Sequence, residues 1–155
     1  MQIEVTAEPF PSDRDAIRGG LHGFMLAETG STPTPLAVLV RDEAGLVVGG
    51  LTGRTSAAWL YVELFWLPAA LRGTGLGTRV MAAAEAEAAR RGCIGAHLDT
   101  YDYQAPGFYQ KLGYEVFGSI EDHPPGHTRF WMQKRFVGPD PGVGAGAAAS
   151  KEAAE

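Results

Sequence analysis

Two stretches of this chain combine reactive side chains or flexible backbone at spacings suited to catalysis and ligand binding. The first is Trp59-Leu60-Tyr61-Val62-Glu63-Leu64-Phe65-Trp66-Leu67, an apolar run with one charge in it. Strand parity puts Glu63 on one face with Trp59, Tyr61 and Phe65. A carboxylate among aromatic rings loses hydration, which raises its proton affinity and suits it to act as a general base. The competing reading is a structural Glu paired with a buried Arg or His. The second stretch is Arg72-Gly73-Thr74-Gly75-Leu76-Gly77-Thr78. Glycines there let the backbone close on a ligand with its N–H groups turned inward. The helix that comes next adds unsatisfied N–H groups and a positive dipole end. With the charge of Arg72, the stretch reads as a pyrophosphate cradle.

Other phosphate loops fit less well. A P-loop ends in Gly-Lys-Ser/Thr, whereas Gly77 is followed by Thr78 and Arg79. The dinucleotide fingerprint is met only in its first two glycines, because its third falls on Thr78, although Asp99 lies near the spacing of a ribose-binding acid. That fingerprint opens a parallel βαβ unit, and here several strands precede the loop. Cys93 reads as a small buried hydrophobe rather than a nucleophile. His123 and His127 stand four apart, but Pro124-Pro125-Gly126 between them forbids a helix, so no metal site is expected.

Periodicity and punctuation give the secondary structure around these residues. Ile3 and Val5 alternate with polar neighbours as a short strand, and Ser12–Asp15 opens a helix to about Glu28 that Gly19, Gly20 and Gly23 weaken. Leu36–Arg41 and Leu46–Gly53 flank Asp42-Glu43-Ala44-Gly45, a hairpin signal, and Ala58–Leu67 is a third strand ended by Pro68. Leu76–Arg91 is the strongest helix, Ala-rich, with a Glu87/Arg91 pair and Gly92 as its cap. Ile94–Tyr101 is a strand, Pro106–Leu112 a short helix, and Tyr114–Ile120 and Thr128–Phe136 are strands. The pattern is that of an α/β (α+β) domain with a mixed sheet. Residues 137–155 contain no aromatic residue and no Leu, Ile or Met, so the domain is expected over 1–136 and a flexible tail over 137–155.

Composition bounds the function. At 155 residues, 45% hydrophobic and 20% charged, the chain is one domain with enough apolar side chains for a core. No run reaches the roughly 20 apolar residues of a membrane span. Met1–Thr6 has no basic region leading into an apolar one, and a single cysteine forms no internal disulfide, so cytoplasmic residence is expected. Net charge of −5 argues against nucleic acid or anionic membranes as partners, while residues 72–91, with four Arg against two Glu, are locally basic.

Two motifs together resemble the GNAT family of N-acetyltransferases. Arg72-Gly73-Thr74-Gly75-Leu76-Gly77 is similar to that family's Arg/Gln-x-x-Gly-x-Gly/Ala motif. Ala105-Pro106-Gly107-Phe108-Tyr109-Gln110-Lys111-Leu112-Gly113-Tyr114 resembles its Ala-x-x-Leu-Tyr-x-Lys-x-Gly-Phe segment. The resemblance implies a mostly antiparallel sheet of about seven strands flanked by helices, splayed at the fourth and fifth strands, in a small single-domain enzyme. Acetyl-CoA would enter the splay as co-substrate, its pantetheine along Ala58–Leu67 and its pyrophosphate on Arg72–Thr78. Backbone N–H groups of Phe65, Trp66 and Leu67 would polarise the thioester carbonyl. Asp102 stands where the family often has a cofactor-contacting Asn, and a carboxylate can only accept. Glu63 would be the base that amine acetylation needs, and Tyr109 the acid that protonates the departing thiolate, unless it is only a core aromatic. Asp99, Tyr101 and His123 would border the acceptor: His97, Asp99, Tyr101 and Tyr103 share one face of their strand, Glu121-Asp122-His123 opens the loop before the last strand, and the resemblance implies that this strand end and this loop border the acceptor pocket. Acidic and aromatic lining suits a cationic amine. The expectation is therefore direct acetyl transfer to a small-molecule primary amine, with no metal. The alternatives are a protein or peptide Lys/N-terminal acetyltransferase and a non-catalytic acyl-CoA-binding domain. The acceptor is not named by the sequence, and a homodimer is compatible with it.

Overall fold

Turn chemistry sets the first half of the sheet. In a computed structural model that describes residues 1–136, strands β1 (Thr34–Arg41) and β2 (Val47–Ser56) are joined by a turn in which the Asp42 carboxylate accepts from Leu46 N–H at 2.9 Å. Gly45 takes a left-handed φ of 81° there. The turn to β3 (Trp59–Trp66) is Ala57-Ala58, both at positive φ, the geometry that matches the twist of a two-residue hairpin. Helix α2 (Leu76–Arg90), strand β4 (Gly95–Tyr101), short helix α3 (Pro106–Lys111) and strands β5 (Glu115–Ile120) and β6 (Arg129–Arg135) complete the chain order. Ahead of them all stands α1 (Pro11–Thr29), whose Asp13 carboxylate accepts from Phe10 N–H at 2.8 Å. The tail expected over 137–155 lies outside the described residues.

The sheet order is β1-β2-β3-β4-β6-β5, antiparallel throughout except between β3 and β4. It has six strands, not about seven. Ile3 and Val5, expected as a strand, are 94% and 97% exposed and pair with nothing described. A two-residue alternation supplies too few ladder bonds to hold an edge without side chains packed behind it. The splay therefore falls between the third and fourth strands of this chain.

The core lies on one face of the sheet. Val80, Met81, Ala84 and Ala88 of α2 recur at helical spacing and are buried against Leu51, Leu60, Val62, Leu98 and Met132. Alanines on that stripe keep the helix close to the strands. A buried polar tie fixes its far side. The Tyr114 hydroxyl donates to Glu85 at 2.9 Å, and Lys134 Nζ donates to the other Glu85 oxygen at 2.7 Å. Helix α1 buries none of its residues.

Candidate active site

The site is organised by a β-bulge that alternation cannot reveal. Thr52 pairs with Leu64 and Gly53 with Val62, so Glu63 is the extra residue. The bulge reverses the parity of the residues after it. Tyr61 and Glu63 stay on the face away from α2, whereas Phe65 turns to the α2 side and meets Phe108, ring centroids 5.9 Å apart. Phe65 and Glu63 thus do not share a face, as simple alternation would have had it. Nor is Glu63 enclosed by aromatics. Its side chain is 40% exposed and forms an ion pair with Arg54, which itself lies over the Tyr61 ring.

Beyond the bulge the sheet opens. β3 and β4 pair only at Trp59–Gly95, Leu60–Ala96 and Tyr61–His97, then diverge. Alternate N–H groups of Val62–Trp66 therefore face a gap instead of a neighbouring strand. The glycine stretch lies at its mouth. Gly75 is the N-cap of α2 at φ 80°, a conformation L side chains rarely adopt, and it offers no capping side chain to the first-turn N–H groups. A Cβ on Gly77 would come within 3.2 Å of the Phe108 ring, so glycine lets the two pack without the ring shifting. Arg72 is tied back, its Nε donating to Leu67 carbonyl at 2.9 Å, and Thr74 donates to Leu71 carbonyl. The cradle is thereby fastened to the end of β3. Leu67 is buried, while Trp66 points out on the opposite face and is 58% exposed.

Phe65, Gly77 and Phe108 meet at one point, which brings β3, α2 and α3 together beside the gap. Tyr109 follows Phe108 and packs edge-on against it and against Tyr114. Burial first, and Asp99 second, push its phenol up to about 12, so it holds its proton through the neutral range. The hydroxyl has no hydrogen-bond partner among the described residues yet is not sealed from solvent, so it is free to donate.

The face away from α2 is polar at its centre. Asp99 accepts from Tyr61 OH at 3.3 Å and from Arg129 Nε at 2.8 Å. Arg129 in turn lies over the rings of Tyr101 and Trp131, each at 5.1 Å. His97 stacks on Tyr61 at 4.9 Å, and burial, then Arg54, lower its proton affinity, so its imidazole is neutral at neutral pH. His123 packs against Tyr101 at 5.7 Å. Asp102 is engaged elsewhere. One of its oxygens takes His127 Nδ1 at 2.9 Å and the other the Thr128 N–H at 3.0 Å. Those bonds hold its carboxyl below the usual range, the Thr128 N–H being the larger cause, and pin the loop before β6. His127 is thus occupied by Asp102, and no group of three His, Cys, Asp or Glu that could hold a metal occurs among the described residues.

Comparison with known proteins decides the family. The model of the acetyltransferase (GNAT) family matches residues 4–114, well over half of the chain. This chain belongs to the GNAT family. It is an acetyltransferase. Among its relatives, blasticidin-S acetyltransferase of Streptomyces morookaense is 50% identical over 95 residues, 61% of this chain and 70% of that protein. Acetyltransferase Atu2258 of Agrobacterium fabrum is 39% identical over 122 residues, 78% of this chain and 89% of that one. A crystal structure from Agrobacterium tumefaciens assigned as an acetyltransferase superposes with a TM-score of 0.83 at 36% identity, covering 88% of this chain and all of the other. The part from Thr34 to Phe136 is about two thirds of the chain, so that likeness extends into α1. No helix among the described residues is long and apolar enough to cross a membrane.

In this GNAT acetyltransferase the gap gathers the ends of β3 (Phe65, Leu67), the glycine stretch and Tyr109, while Glu63, Asp99, Tyr101 and His123 gather on the polar face beside it. The Trp66 side chain and Asp102 stand apart from both. Sequence reasoning placed Tyr61 beside Glu63 but missed its bond to Asp99, and it missed Arg54, Arg129 and Trp131, which pair with or pack around the acidic residues of that face. A signal existed for two of them. Arg129 and Trp131 alternate along the last strand opposite Tyr101 and Asp99. Arg54 had none, because its pairing with Glu63 depends on the bulge.

Proposed function

We propose that this protein transfers the acetyl group of acetyl-CoA directly to a primary amine of a small molecule within a ternary complex. One observation carries the reading: the convergence of Phe65, Gly77 and Phe108, which brings a strand with free N–H groups, an uncapped helix N-terminus and the Tyr109 phenol to one gap. The N–H groups at the start of α2, with their positive dipole end, suit a pyrophosphate. Those of β3 facing the gap suit the thioester oxygen as negative charge grows on it. The amine nitrogen attacks the thioester carbonyl carbon, a C–N bond forms, and the C–S bond breaks. The amine loses its proton to a base, and the departing thiolate gains one from Tyr109.

Glu63 is the proposed base, acting directly or through a water, since it is the accessible carboxylate on the acceptor face. His97 is the second candidate, because it is neutral and lies where β3 and β4 begin to diverge. Asp99, Tyr101 and His123 would line the acceptor pocket. The Asp99 charge is already met by Arg129, whose guanidinium also lies over the Tyr101 ring, so a cationic amine would have to displace Arg129 or pack beside it to meet that aromatic face. The 50% identity to a relative named for blasticidin-S supports a small-molecule acceptor over a protein lysine. The free phenol and exposed carboxylate support an enzyme over a binding domain, which needs neither.

A panel of small amines incubated with acetyl-CoA and read by free-thiol release tests the reaction. Gly75→Asp places a negative charge and a strained backbone at the cradle and should abolish CoA binding in calorimetry with the fold retained. Unchanged CoA affinity would reject the cradle, and no thiol release from any amine or peptide would leave the binding-domain alternative.

A further inference from the structure

Helix α1 is amphipathic and has nothing of its own to cover. Ile17, Leu21 and Phe24 fall at i, i+4 and i+7, one stripe, and are 74%, 57% and 65% exposed. A helix of this length is marginal alone in water, and Gly19, Gly20 and Gly23 each weaken it by about 1 kcal/mol relative to Ala. Among the described residues nothing lies within 4 Å of a Cβ built on any of the three, so no described contact requires them. Such a helix persists when its apolar stripe is packed, and glycines beside that stripe let another backbone come near.

A matching surface is open on the same molecule. On the sheet face away from α2, Leu39, Val47, Leu64 and Trp66 surround a shallow apolar hollow of about 190 Å³. Each of these side chains is between 47% and 70% exposed. The hollow lies towards the β1–β2 turn, where Leu39 pairs with Gly50 and Gly50 with Trp66. The link from α1 is fastened at the other end of the sheet. Ser31 Oγ accepts from Ala57 N–H at 2.8 Å, and Thr34 pairs with Thr55. The helix is closed there by Gly30, at φ 65°, donating to Leu26 carbonyl at 2.9 Å. Held this way, α1 has only His22 and Met25 partly covered and makes no extensive contact with a strand of its own sheet.

We propose that α1 packs instead on the hollow of a second copy of this chain, each copy lending its helix to the other. The seven side chains named each leave on the order of 100 Å² open. A reciprocal exchange would bury on the order of 1,400 Å² over the two chains, within the range of a standard stable interface and the same area per chain as a helix folded back on its own sheet, from which the fastened link holds α1 away. The exchange is isologous and closes on itself, so it gives a dimer and no larger assembly. Leu64 and Trp66 flank the bulge that carries Glu63, so the lent helix forms a wall next to the acceptor face. The proposal does not depend on which group is the base.

Cross-linking tests it. With Cys93→Ala to remove the one native thiol, Leu21→Cys and Leu64→Cys are combined in one chain and oxidised at micromolar concentration. The expected product is a covalent dimer on a non-reducing denaturing gel. A covalently closed monomer would mean that α1 folds back on its own sheet, and no disulfide at all would mean that the two surfaces never meet. Either result overturns the exchange. Independently, the unmodified chain should sediment with the mass of two copies, and Leu21→Asp with Phe24→Asp should reduce it to one without loss of CoA affinity. A parent that sediments as a monomer at tens of micromolar also overturns it.

Discussion

The two faces of the sheet are built to opposite ends. Under α2 the side chains are apolar, interlocked and sealed; Leu60 and Met132 are fully buried and Leu98 nearly so. On the other face Arg54 pairs with Glu63, Arg129 with Asp99, and Tyr61 and His97 stack between them. Beside these charges the apolar hollow stands open. One face holds the fold together and carries a reactive group only at the gap, where the Tyr109 phenol stands at the margin of the core. The other carries solvent-exposed titratable groups and adds little to the core, since exposed ion pairs stabilise by about 0–1 kcal/mol. Substitutions should therefore separate stability from activity according to the face they touch.

The largest separation is expected at Glu63. Glu63→Gln should lower turnover by about 10²–10⁴-fold, while melting temperature and CoA affinity stay with the parent. A parent-like rate would move the base to His97, and His97→Gln should then carry the loss. Leu98→Ala on the sealed face should do the reverse. It should cost about 2–5 kcal/mol in urea unfolding, with turnover per folded molecule retained; a cost below about 1 kcal/mol would deny that this face is the core.

Alkali tests the groups between the faces. The Tyr109 phenol is pushed up to about 12, against about 10 in an unfolded chain. The folded state therefore holds the proton more tightly. This contribution to stability is whole below about pH 10 and is lost as pH rises towards 12, by roughly 2–3 kcal/mol. Tyr114 is raised in the same direction by burial and by Glu85. Tyrosinate absorbance and unfolding should rise together over that range, and a Tyr109 that ionises near pH 10 in folded protein would contradict its burial. Tyr109→Phe should also leave stability nearly unchanged. Its hydroxyl has no partner among the described residues, so stability should change by less than about 1 kcal/mol, while turnover falls and acetyl-CoA still binds. If turnover is also unchanged, Tyr109 only packs.

Local signals were legible wherever a residue acts on its immediate neighbours. Asp42 and Gly45 make the first hairpin through their own bonds, the alanine stripe of α2 makes a helix that buries that stripe, and Gly75 is glycine because the backbone there is left-handed. What was misread depends on a partner remote in sequence. Ile3 and Val5 alternate like a strand, but a strand exists only when another edge accepts it. The Ala57-Ala58 turn carries no glycine or asparagine to announce it and is held by the two strands it joins.

The order of elements from α1 onward and the glycine turn before α2 could thus be read from the chain alone, and the residues proposed to move a proton were picked out there too, because spacing and backbone preference are properties of a few adjacent residues. Where those residues face was decided by tertiary structure. The extra residue at Glu63 is defined only by the register of β3 against β2, and that one-residue shift turned Phe65 to the core side and left Glu63 with Arg54. Asp99 was met by Arg129, from a strand thirty residues away, through the same kind of cross-strand register. Register is a collective outcome of many long-range pairings, and no short stretch of chain contains it.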